Sequence, residues 1–336
     1  MRGNPLKYAL FIGEMLIDFI PNTTDANGTS SYQPHPGGAV ANAAVALARL
    51  GGAARFLGKL GEDGFGRLLL RVLQENQVDI TSVPTTSRGP TTLVLVTLQD
   101  DGQREFTFYR QQTADTLLEI GELAERTWTD VTLCHAGSVL LTSEPARSTT
   151  LAAMEQARQS GLLVSFDVNV RPALWSSEEE LRTTLARVIP SVDLLKFSVE
   201  EAHYLASTLT EALNPADDQA LQMLADELLA RGPSLVVITR GPRGASLFTR
   251  QHAVETAAST LQAIDTTGAG DAFMGALLHR LLERDEVRAQ QLAALSAHDL
   301  QELGTFANTA AGISCTRYGG IASLPSLEEV EAALER

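Results

Sequence analysis

The sequence predicts an α/β protein in three layers, a mostly parallel central sheet between two layers of helices, carrying a small β-sheet lid. Three observations predict it. From residue 131 onward, short apolar runs alternate with helical stretches, the pattern of a parallel sheet covered on both faces. A β-rich hairpin, Thr91–Leu98 and Glu105–Tyr109, interrupts that alternation and calls for a sheet of its own. Finally, 44% of the 336 residues are hydrophobic, enough to fill a large core.

The elements follow in order. Residues 7–13 form a continuous apolar run ending in Gly13, as a buried strand does. In the next apolar segment, Asp18 is either an exposed edge residue or a ligand to a polar substrate. Residues 21–35 read as polar and turn-rich. Pro36, Gly37 and Gly38 lead into a small-residue helix, Ala43–Leu50, closed by Gly51 and Gly52. The Gly37-Gly38 pair admits a ligand close to the backbone, and the amide of Asn42 suits sugar hydroxyls, although a plain glycine turn at a helix start fits the same residues. Residues 54–60 read as a strand. The glycines at 61, 64 and 66 read as turn and capping chemistry before a helix to Asn76, since Gly-x-Gly-x-x-Gly is not matched.

The hairpin turns through Gln99–Gln103, which contains an Asp-Gly pair. Phe106 and Phe108 alternate with Thr107, giving one apolar face that covers a sugar, meets a second copy of the chain, or both; Arg110 closes the segment. Lying over a site, such a lid excludes water. Strands are then expected at 131–136, 162–167, 192–197 and 234–239, and helices at 145–160, 178–188, 200–209 and 217–231, with Asn214–Asp218 a turn and cap. Residues 1–13, 35–90 and 111–336 are assigned to the α/β body, and 14–34 plus 91–110 to the lid. There are no internal repeats.

A net charge of −15 argues against nucleic acid and anionic membrane surfaces as partners. The two cysteines, Cys134 and Cys315, lack metal-ligand spacing and read as buried free thiols of a reducing compartment. Without a signal-like N-terminus or an apolar run of the ~18 residues a membrane span needs, a cytoplasmic protein is expected.

The chemistry concentrates in Asp265-Thr266-Thr267-Gly268-Ala269-Gly270-Asp271. Phe273, Ala276, Leu277, Leu281 and Leu282 then form one helical stripe. Residues 268–270 have little or no side chain, so the N–H groups entering this helix form an anion site at the positive end of its dipole. A carboxylate there, Asp271, makes sense as the acceptor of a proton from a hydroxyl attacking a phosphoryl group. The helix N-terminus is expected to keep it ionised.

This stretch resembles the anion-hole and catalytic-base motif of the PfkB (ribokinase-like) carbohydrate kinases, and the resemblance runs from Gly13 to about Pro325. Residues 13–19, 90–93, 104–110 and 167–175 are similar to the fructokinase branch, with Val40 where many of its members have Pro. The resemblance implies a ribokinase-like fold and ATP-dependent phosphorylation of D-fructose at its 6-hydroxyl, with Mg²⁺. The sugar is assigned to Asp18, Gly37, Gly38, Asn42, Phe108, Arg110, Asn169 and Arg171. Asn169 and Arg171 follow a strand, where ligands of open α/β sheets collect. Lys196-Phe197-Ser198 resembles a fructokinase pattern in place of the family's Asn-x-x-Glu, with Glu201 as the matching carboxylate acting on Mg²⁺ through water. Glu201 also fits a plain helix-start carboxylate. The turn from Thr239 through Arg240 and Gly241 to Gly244 is expected beside the nucleotide phosphates, with Arg240 or Arg243 neutralising them, and Asn308 beside the nucleotide. Asp265 matches a residue that helps bind K⁺ in relatives. A homodimer through the lid sheet is expected. The rival readings are a kinase for 2-keto-3-deoxygluconate or ribose and a regulator that binds without catalysis.

Overall fold

Continuous apolar runs became the inner strands of one eight-stranded sheet because each is covered on both faces. In the computed structural model, which describes residues 7–24, 30–98, 104–206, 217–284 and 288–335, the first run is β1 (Tyr8–Ile12). Its side chains alternate: Ala9 and Phe11 enter one apolar cluster, Leu10 and Ile12 another on the opposite face. β2 (Leu16–Thr24) and β3 (Ser30–Gly37) follow, then α1 (Ala39–Arg49), β4 (Ala53–Leu57) and α2 (Gly64–Glu75). The hairpin strands are β5 (Leu93–Leu98) and β6 (Arg104–Tyr109). The regular alternation supplies β7 (Val131–Gly137), α3 (Ala146–Gln159), β8 (Leu163–Asp167), α4 (Glu178–Val188) and β9 (Leu194–Ser198). After it come α5 (Asp218–Arg231), β10 (Leu235–Thr239), β11 (Ala245–Phe248) and β12 (Ala253–Thr256). The main helices close with α6 (Ala269–Leu282), α7 (Ala297–Ser314) and α8 (Leu327–Leu334).

The large sheet has the order β12-β11-β10-β9-β8-β7-β1-β4, parallel from β10 to β4, with β11 and β12 antiparallel at one edge. Helices α3, α4 and α5 contribute to the cluster on one face; α1, α6 and α7 contribute to the other. α1 and α6 come close because Gly275 has no side chain: a Cβ there would stand 2.5 Å from the Ala46 Cβ and 2.7 Å from the Ala43 carbonyl oxygen. A second sheet, β3-β2-β5-β6, forms the lid.

Of residues 21–35, expected to be turn-rich, 21–24 continue β2 and 30–35 belong to β3, because the two strands offer each other an antiparallel partner from Leu16↔Gly37 onward. The helix expected at 200–209 is only the short turn Ala202–Leu205 within the described residues; 207–209, like 214–216 and the 99–103 hairpin tip, lie outside them. Cys134 is buried as expected, whereas Cys315 is half-buried and lines the cavity described next. Among the described residues, no helix is long and apolar enough to cross a membrane.

Candidate active site

The carboxyl ends of β1, β8, β9 and β10 open into one cavity of about 870 Å³, roofed by the lid strands. Asp271 sits in its wall as the third residue of α6, whose start is set by Gly268 at φ 79, a left-handed conformation that glycine adopts without a Cβ clash. Gly268, Ala269 and Gly270 line the cavity beside it. Ala269 N–H, expected to meet an anion, instead donates to the Thr266 carbonyl at 3.2 Å and closes the turn.

Asn42, buried in the first turn of α1, donates from Nδ2 to Asp271 Oδ2 at 2.7 Å, while its own Oδ1 has no partner. Burial among protein atoms pushes the Asp271 carboxyl up to about 6; the Asn42 hydrogen bond, Lys196 and Arg171 pull it down, and Asp167 adds to the rise. The expected hold of the helix terminus is therefore outweighed by desolvation, although the group still ionises at neutral pH.

At the lid end, Asp18 lines the cavity together with Leu16, Val94, Phe106 and Phe108, so it is not an exposed edge residue. Its carboxyl is raised to about 6 by burial, with Arg171 opposing. Gly38 lines the cavity; Gly37 does not, and serves by leaving room for Asp18, whose Oδ2 would stand 2.2 Å from a Cβ there. Arg171 and Asn169 line the cavity and touch at 2.5 Å, Nη1 to Oδ1, with Asn169 held at φ 33. Arg110 is absent from the cavity wall. Its Nε binds Asp115 at 2.6 Å and its Nη1 binds the Thr142 hydroxyl at 2.6 Å, acceptors that offset part of the cost of burying the guanidinium at the lid root, while Nη2 has no partner.

The middle of the cavity is ionic. Lys196 and Asp167 stand in register on neighbouring strands and pair at 2.7 Å, and the Lys196 ammonium lies 3.5 Å from where a Gly270 Cβ would be. Asp167 raises the Lys196 ammonium while burial opposes it. Ser198 and Glu201 also line the wall. Glu201 accepts from Val170 N–H at 2.5 Å and Ser198 N–H at 2.8 Å, and burial and then Asp167 raise its carboxyl.

Toward the far end, Thr239, Gly241 and Gly244 line the cavity, as does Asn308, whose Nδ2 is tied to Thr256 at 2.8 Å. Ser259, Leu261 and Gly312 also line the cavity there. Arg240 does not reach it: the side chain turns to Asp218, Glu255 and Ser246, tying β11 and β12 to the start of α5. Arg243 is absent from the wall too and lies 3.6 Å from Asp218. Asp265 also stands outside the wall and accepts from Thr267 N–H and Gly319 N–H at 3.0 Å each, bracing the loop before α6. Among the described residues, no group of three His, Cys, Asp or Glu side chains gathers as a metal cluster.

Several cavity residues escaped sequence reasoning, Asp167, Glu14, Ser259 and Leu261 among them. Asp167 was detectable as an acid ending an apolar strand, paired with a lysine on the next. Glu14 follows the glycine after the first strand, inside the 13–19 stretch that is similar to the fructokinase branch.

Residues 6–327 match the pfkB family carbohydrate kinase. The chain is 39% identical over 325 residues to fructokinase-1 of Oryza sativa subsp. japonica, covering 96% of each. Its fold is similar to that of a Xylella fastidiosa fructokinase with bound ATP, with a TM-score of 0.88 and 32% identity over 98% of each chain. A Vibrio cholerae O395 fructokinase in a fructose-, ADP- and calcium-bound form has a TM-score of 0.83 and 32% identity, over 98% of this chain and 100% of that one. With the family matched over nearly its whole length, and a carboxylate standing at a helix N-terminus inside a roofed cavity, the chain belongs to the pfkB family of carbohydrate kinases, phosphotransferases of the ribokinase-like fold.

Proposed function

We propose that this kinase transfers the γ-phosphoryl group of ATP to the 6-hydroxyl of D-fructose. The observation that carries the reading is Asp271, held by Asn42 between the lid compartment and the end of the cavity near Asn308. Asp18, Gly38, Asn42, Asn169 and Arg171 orient the sugar, and Phe106 and Phe108 cover it against water. Asp271 accepts the hydroxyl proton as the oxygen attacks phosphorus. The Gly268 and Gly270 N–H groups and the Lys196 ammonium face the charge that spreads over the moving phosphoryl. The adenine packs along Ser259, Leu261 and Gly312, and Thr239, Gly241 and Gly244 lie along the phosphates.

The cavity fits Mg²⁺. Six carboxylates and two cations line it, and buried Asp167 Oδ1 has no partner. Asp167 and Glu201 would hold the ion through water. When bound with ATP it supplies the positive charge that offsets the triphosphate. A K⁺ ion near Asp265 would share a carboxylate that also braces the loop through Thr267 and Gly319.

The relatives named fructokinases favour fructose, and the test is ADP release with Mg-ATP across fructose, glucose, mannose, ribose, tagatose and 2-keto-3-deoxygluconate. A high kcat/KM confined to fructose supports the assignment. Turnover of another sugar corrects the pocket reading, and silence on all six with ATP bound favours the regulator. The exposed aromatic rings Tyr32, Phe106 and Tyr109 on the lid strands further support a homodimer through the lid. Sedimentation as a monomer at micromolar concentration would count against it. The net charge of −15 and the absence of a long apolar helix among the described residues support a cytoplasmic enzyme without nucleic-acid partners.

A further inference from the structure

The lid joins the body at two roots, and each carries a buried polar atom without a partner. Glu14 precedes β2. Its Oε1 accepts the Ala39 N–H at 2.7 Å, and its Oε2 has no partner. Arg110 follows β6, and with Nε and Nη1 bound to Asp115 and Thr142, its Nη2 is left over. The two residues are 2% and 8% exposed, and among the protein's own groups an acceptor and a donor of opposite charge stand unmatched. Ile17, Leu93 and Tyr109 stand in register across β2, β5 and β6, so both roots leave the lid sheet at the same end, and the Arg110 charge pulls the Glu14 carboxyl down.

Glu14 also reaches the catalytic side. α1 begins at Gly38, which has no side chain to cap it, so the Glu14 carboxylate does so from 25 residues away. One turn later α1 carries Asn42, which fixes Asp271. A shift of Glu14 is thus a shift of the helix that aims the base.

We propose that Glu14 is a positioning residue for sugar phosphorylation: its Oε2 pairs with Arg110 Nη2 when a sugar is seated under the lid, locking both lid roots to the start of α1 and so to Asn42 and Asp271. The inference rests on the sugar-kinase reading above. It assigns no contact between Glu14 and the substrate.

Glu14→Gln separates the two bonds, because the amide oxygen still accepts from Ala39 N–H while the charge toward Arg110 is lost. Assayed with fructose and Mg-ATP at about pH 8, above the value of about 7 to which burial raises the Glu14 carboxyl, this variant should raise the KM for fructose. The rise should be about tenfold or more, the factor for one hydrogen bond between charged groups. The KM for ATP should stay within about twofold. Glu14→Ala, which also uncaps α1, should lower kcat as well, and Gln in its place should restore kcat. Combining E14Q with Arg110→Lys should cost no more than R110K alone. A crystal structure with fructose and a non-hydrolysable ATP analogue should show the two atoms within about 3.2 Å. Wild-type turnover of fructose with E14Q kinetics unchanged, or a complex in which the two atoms stay apart, overturns this inference alone. A wild-type protein silent on every sugar overturns the functional reading and this inference with it.

Discussion

The role proposed for Asp271 carries a conflict: a base must be ionised, yet burial in the cavity wall raises this carboxyl to about 6. Asn42 resolves the conflict in part by donating to the carboxylate and lowering the value. Asp271→Asn keeps the shape and removes the proton acceptor. Turnover should fall by about 10²–10⁴, the range for a positioned base, while the KM for fructose stays within a few-fold. A mutant close to wild type in kcat would displace Asp271 from that role. The same carboxyl sets a pH limit. As pH falls through about 6 the group takes up a proton and ceases to accept one, so kcat/KM should decline on the acid side. Asp18, also near 6, steepens that limb if the sugar needs it ionised. A pH–rate profile that stays flat to about pH 5 would contradict both assignments.

At the scale of elements, the proposed chemistry depends on how closely α1 and α6 approach, since one carries Asn42 and the other Asp271. Gly275 sets that distance, four residues along α6 from the base. Gly275→Val would drive its side chain into Ala46 and the Ala43 carbonyl, and overpacking of this kind costs about 1–3 kcal/mol. The Tm should drop, and kcat should fall further than stability explains, because the 2.7 Å Asn42–Asp271 bond opens as the helices part. Measuring kcat well below the variant's Tm separates the two effects; an unchanged kcat would show the helices are not the gauge. The strands and helices from residue 131 onward were legible because a strand buried on both faces reads as an unbroken apolar run. Helix 178–188 and strand 234–239 emerged within a residue of expectation. The directions of Arg110 and Arg240 were not legible. Arg240 is claimed by Glu255 and Asp218, 15 and 22 residues away, and no local pattern says which acid a guanidinium will find. The strand at 30–37 stayed hidden for a related reason, since its hydrogen-bond partner and not its polar composition makes it a strand.

Across the whole molecule, the acidic charge is unevenly spread in environment as well as in number. Glu14, Asp18 and Asp271 are desolvated at one cavity and raised to about 7, 6 and 6, from ordinary values of 4.5, 3.8 and 3.8. Asp63, Asp79 and Asp299 lie elsewhere. Hydrogen bonds from Thr91 and Gly66, from Thr81 and Arg55, and from Ser296 and Arg284 hold them below the usual range, Asp299 at about 2. The two groups act on stability with opposite signs. For the raised set, the folded state binds more protons than the unfolded state between about pH 4 and 7. Their stabilisation is therefore complete below the unfolded values and is lost as pH rises through the folded ones. For the lowered set, stabilisation is present above the unfolded values and is lost as pH falls toward the folded ones. The ligand-free enzyme should accordingly have its highest Tm near about pH 5, on the acid side of the pH at which Asp271 works best. Glu14 alone, shifted from 4.5 to about 7, accounts for at most about 3 kcal/mol of the decline toward pH 8. E14Q should therefore raise the Tm at pH 8 and flatten its pH dependence, even as it weakens the hold on the sugar. Calorimetry of wild type and E14Q from about pH 4.5 to 8.5 checks this. A wild-type Tm that climbs steadily to the alkaline end would mean that the cavity carboxyls are solvated and that the site does not exclude water.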